Sequence, residues 1–68
     1  MKLDRVNEEV FLISLTENQL RIFMACIGES FATLDRRAFP ARIGFPIEDV
    51  LSVATELKEL MEYEGVNL

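Results

Sequence analysis

The sequence predicts a mainly α-helical domain: three helices, a helix-turn-helix-like corner, and a short N-terminal extended segment or strand. Three observations carry that prediction. Two long stretches place apolar residues at helical spacing. Each is preceded by a residue suited to start a helix: Thr16 with Gln19 three positions on, and Pro46 with Glu48 and Asp49 behind it. Between them a segment of about two helical turns, roughly Arg37 to Ile43, has Pro40 limiting where it can begin and Gly44 to stop it. With 68 residues, the chain is expected to be one domain, 1–68.

The elements follow in order. Residues 1–9 are polar and read as a loose start. Val10-Phe11-Leu12-Ile13-Ser14-Leu15 is short and rich in β-branched and aromatic residues. It reads as a strand, with an extended arm or an early piece of the first helix as alternatives. No second strand is evident beside it, so its expected pairing partner is the same segment of a second chain. Thr16-Glu17-Asn18-Gln19 fits a capping box, and Glu17 puts negative charge at the positive helix end. The first helix should run from about Glu17 to between Ala32 and Leu34. Leu20, Phe23, Met24, Ile27, Phe31 and Leu34 form its inner face, and Ile22 and Cys26 widen the apolar sector. Asp35 is a candidate cap for a short helix over about Arg37 to Ile43, which Gly44 should end in a left-handed conformation. The last helix begins just after Pro46, carries Val50, Val53, Ala54, Leu57, Leu60 and Met61 as its apolar stripe, and closes at Gly65. Val66-Asn67-Leu68 reads as a tail.

Composition narrows the function classes. The chain has no histidine and one cysteine, which disfavours transition-metal sites and rules out an intramolecular disulfide. A reducing, cytoplasmic setting is expected. There is no glycine-rich phosphate loop, and Cys26 reads as a small hydrophobe packed in an apolar helix, not as a nucleophile. No enzyme activity, cofactor or metal is expected. The start of the chain lacks an apolar signal-peptide core, and no apolar run approaches the ~20 residues needed to span a bilayer.

Half of the residues are hydrophobic, much for so small a sphere to hide. A homodimer is the simplest expectation, with Val10, Phe11, Leu12, Ile13, Ile22, Phe23 and Cys26 as candidates for self-association. The net charge of −5 sits entirely in residues 45–68, where Lys58 alone faces six acids. Glu48, Asp49, Glu56, Glu59 and Glu62 are the candidates for an acidic partner-binding face that would attract a basic protein surface.

Phe39, Ile43, Phe45, Val50 and Leu57 fall on the packing positions of a helix-turn-helix, with Gly44 at the turn. The second helix of such a motif meets the major groove through its first exposed residues. Here those are Ile47, Glu48, Asp49, Leu51, Ser52 and Thr55, none of them Arg, Lys, Asn or Gln. Two carboxylates there oppose phosphate binding. DNA binding, with Arg36, Arg37 and Arg42 as the basic patch, is therefore the alternative reading. Arg36, Arg37 and Arg42 are expected instead to pair with nearby acids at a solvated corner.

The segment LRIFMACIGESF followed by AFPARIGFPIEDVLSVATEL also resembles a family of short bacterial helical proteins. Their members read LRxLxNALNEV, then EFxTRxG, then an acidic helix. Leu20, Ala25, Ile27 and Glu29 match the first pattern, and Phe39, Arg42 and Gly44 the second; Met24 and Gly28 stand where the family has asparagine. The resemblance implies a helical fold and a bacterial origin more than an activity. The function expected from the whole is a non-enzymatic protein–protein interaction module, of the acidic inhibitor kind found among immunity proteins, antitoxins and phage inhibitors.

Overall fold

A computed structural model describes residues 1–66. Its elements are β1 (Lys2–Arg5), β2 (Phe11–Ser14), α1 (Glu17–Thr33), α2 (Ala38–Ile43) and α3 (Ile47–Tyr63). Three helices and a short two-stranded sheet make it a small mainly-α domain. Asn67 and Leu68, the end of the expected tail, lie outside the described residues.

The N-terminus departs from the expectation. Residues 2–5 are not loose; they form the strand that pairs with β2, antiparallel, with Leu3 opposite Ile13 and Arg5 opposite Phe11. The backbone groups of β2 thus find partners within the chain, and a second copy is not needed to supply them. The turn is built by two side chains. Asn7 Oδ1 accepts from the backbone amides of Glu9 and Val10, both at 2.9 Å. Arg5 Nη1 donates to the carbonyls of Asn7 and Glu8. An Asx-type turn of this kind needs a short polar side chain, and Asn is among the best suited.

The helices start and stop where their chemistry directs. Thr16 Oγ1 accepts from the Gln19 amide at 3.1 Å, and Gln19 Oε1 accepts from the Thr16 amide at 3.0 Å. This is the reciprocal capping box. Leu15 and Leu20, both half-buried, take the flanking positions of a hydrophobic staple. Asp35 Oδ1 accepts from the Ala38 amide at 2.7 Å, at the entry to α2. Gly44 ends α2 at φ 92°, and its amide donates to Pro40. At the end of α3, Gly65 has φ 80°. Val66 donates to the Met61 carbonyl and Gly65 to that of Glu62. That pattern is a Schellman motif, in which a left-handed glycine lets the chain turn back onto the last carbonyls.

The core is small. Phe39 is 0% exposed, and only Ala54 and Met61 join it as buried residues among those described. Phe39 stacks on Phe31, with ring centroids 5.6 Å apart and 13° between planes. Through this stack the short helix α2 packs on α1. Leu20, Met24, Ile27, Phe31 and Leu34 of the α1 region and Val50 and Leu57 of α3 are half-buried around it. Several expected core residues stand outside. Phe23 is exposed on α1, and Val53 and Leu60 are 63% and 57% exposed on α3. Cys26 is exposed as well, so it is not the small core hydrophobe its neighbours suggested. The reason is the number of neighbours. A helix in a single small layer has one side to bury, whereas the apolar sectors of α1 and α3 are wider than one side.

Candidate protein-interaction surfaces

Two surfaces emerge from this arrangement, one charged and one apolar. The charged surface lies on α3. At about 100° per residue, Glu48, Asp49, Glu56, Glu59 and Glu62 all fall within an arc of roughly 140°. The buried stripe, Val50, Ala54, Leu57 and Met61, lies on the opposite side. All five acids are exposed. Glu48 pairs with Arg36 and Glu62 with Lys58. Asp49, Glu56 and Glu59 have no ion pair among the described residues, so the arc keeps a net negative charge. Glu48 and Asp49 also stand at the positive end of the helix dipole, which favours them there.

Beside this arc lies apolar surface. Phe45, Asp49, Val50 and Val53 line a notch of about 220 Å³. On the other flank, Met24, Ile27, Phe31, Leu51, Ala54 and Lys58 are among the residues that line a shallow groove of about 260 Å³ between α1 and α3.

The apolar surface is the hairpin with the outward side of α1. The register puts Leu3, Arg5, Phe11 and Ile13 on one face of the hairpin. The Arg5 guanidinium lies 4.4 Å from the centre of the Phe11 ring, a cation–π contact. The other face carries Lys2, Asp4, Leu12 and Ser14, with a Lys2–Asp4 ion pair at 3.5 Å. Both faces are exposed along the whole length of both strands. On α1, Ile22, Cys26 and Glu29 follow one another at helical spacing on the side away from α3, with Phe23 at the flank; all four are exposed. The residues singled out for self-association, Val10, Phe11, Leu12, Ile13, Ile22, Phe23 and Cys26, are therefore all at the surface. Sequence reasoning missed Leu3 and the strand around it. The only signal was one apolar residue in KLDR, too little for a period-2 pattern.

Of the arginines at the helix-turn-helix-like corner, Arg36 is tied to Glu48, the first acid of α3. A cation that could meet phosphate is thus partly neutralised at the position where a DNA reader inserts its helix. Arg37 and Arg42 are exposed nearby. Among the described residues no three Asp, Glu or Cys side chains come together as a metal site, and no helix is long and apolar enough to cross a membrane. Comparison of the chain with protein-family models, curated proteins and solved structures yields no match.

Proposed function

We propose that this chain is a non-enzymatic, cytoplasmic bacterial protein–protein interaction module that works as a homodimer and presents the acidic face of α3 to a basic protein surface. The mode of action that fits is inhibition by masking, as immunity proteins, antitoxins and phage inhibitors mask their targets. The observation that carries the reading is the acidic arc: five exposed carboxylates on one side of a 17-residue helix, three of them without an ion pair among the described residues. Such a surface speeds encounter with a basic partner and repels phosphate. Apolar residues beside the arc, Phe45 and Val53, supply the area that charge alone does not.

Affinity capture from an extract of the source bacterium tests this, with wild type and the Glu56→Lys/Glu59→Lys variant immobilised side by side. The expected result is a basic protein retained by wild type, lost from the variant, and released from wild type by raised salt. The same set of proteins on both columns would contradict the reading.

The α2–turn–α3 corner favours one competing reading, a DNA-binding regulator acting through Arg36, Arg37 and Arg42. That reading requires a gel shift at low salt that disappears in the Arg36→Ala/Arg37→Ala variant. On the acidic-face reading no shift occurs even at low salt, where phosphate attraction is greatest.

A further inference from the structure

The homodimer can be located, and the inference here rests on that part of the proposal alone. A globular chain of 7.8 kDa exposes about 4,400 Å². This one exposes 5638 Å². Its radius of gyration is 13.4 Å, against about 11 Å for a compact chain of this length. The surplus surface is roughly 1,200 Å² per chain by the same scaling. Two chains covering it in one another would bury about 2,400 Å², the size of an obligate homodimer interface.

The hairpin carries much of the exposed apolar surface: Leu3, Val6, Val10, Phe11, Leu12 and Ile13 are each 46% exposed or more. Along the chain it passes into α1 through Leu15 and Thr16, and Thr16 is held in the capping box. Its mixed face offers three apolar side chains, Leu3, Phe11 and Ile13, and one cation, Arg5. The outward side of α1 offers three apolar side chains, Ile22, Phe23 and Cys26, and one anion, Glu29, which has no ion pair among the described residues. The two faces also match in length. Ile22 to Glu29 rises about 10 Å along the helix, and a four-residue strand spans about 13 Å.

We infer that the Leu3/Phe11/Ile13 face of the hairpin in one copy lies on the Ile22/Phe23/Cys26 face of α1 in a second copy, reciprocally about a two-fold axis, with Arg5 of each chain opposite Glu29 of the other. The arrangement is isologous and closed, so it ends at two copies.

The test is sedimentation velocity on wild type, on Ile13→Glu, on Ile22→Glu, and on an equimolar mixture of the two variants. Helicity is checked by circular dichroism, because both substituted residues are exposed and the helices should survive. Wild type should sediment as a dimer. Each variant should raise the dissociation constant at least about a hundredfold, since a glutamate would be buried twice in each dimer. The mixture should regain dimer. One of its two contacts pairs an intact hairpin with an intact α1 face, and the other pairs the two altered ones. A dimer built hairpin to hairpin, or by strand edges, gains nothing from mixing. Wild type that stays monomeric up to about 200 µM would overturn both this inference and the homodimer of the proposed function. A wild-type dimer whose variants fail to complement would overturn this inference and leave that homodimer standing.

Discussion

At the residue scale, three side chains and one glycine show how the local chemistry is distributed. Phe39 is fully buried and stacked on Phe31. Truncation to alanine leaves a cavity where α2 packs on α1. Phe39→Ala should cost about 3 to 5 kcal/mol, enough to unfold so small a domain in a urea titration. Gly44 adopts φ 92° with open space where a Cβ would sit. The obstacle to a side chain there is backbone conformation and not crowding. Gly44→Ala should lower stability by about 1 to 2 kcal/mol, read as a lower urea midpoint with an unchanged slope. Asn7 was not singled out from sequence, yet its carboxamide accepts two backbone amides at the hairpin turn. The opposite error befell Cys26, placed in the core from the apolar residues around it but exposed in the fold.

At the scale of elements, the helices were legible and the hairpin only half so. Caps are local, and each was readable in a few residues: Thr16 with Gln19, Pro46 before the acids, Gly44 and Gly65 as stops. Thr16→Ala should remove the capping box and cost about 1 kcal/mol, visible as a fall in the thermal midpoint with the fold retained. Strand β2 was legible from its β-branched and aromatic residues, whereas β1 was not. KLDR joins the sheet because Asn7 and Arg5 build a turn that brings it alongside, a local cause that leaves no period in the sequence. The apolar sectors of α1 and α3 are wider than the faces they bury. Helical spacing marks which residues share a side, but it does not say how many neighbours the helix has. Val53, Leu60 and Phe23 therefore fell outside the core, and Tyr63, 87% exposed, joins them at the surface.

At the scale of the whole molecule, the excess of hydrophobic residues already visible in the composition becomes a located surface. The chain is wide, 33 × 32 × 18 Å, and the hairpin makes its own turn and pairing without burying either face. The charge imbalance likewise becomes one side of α3, turned away from the buried stripe. The candidate acids were legible because charge and helical phase are both properties of sequence. The Lys58–Glu62 pair follows from their i,i+4 spacing, whereas which acid Arg36 meets depends on how α3 leaves the corner.

The central claim is that the apolar surface of one copy is covered by another, and Cys26 reports on it without alteration. The alkylation rate of Cys26 is compared in wild type and in Ile13→Glu, at equal concentration and with helicity matched. The substituted residue is on the hairpin and the thiol on the outward side of α1. If the hairpin of a second copy covers that side, the substitution should speed alkylation about tenfold, towards the rate in urea. Equal rates in the two proteins, both already close to the unfolded rate, would contradict the account.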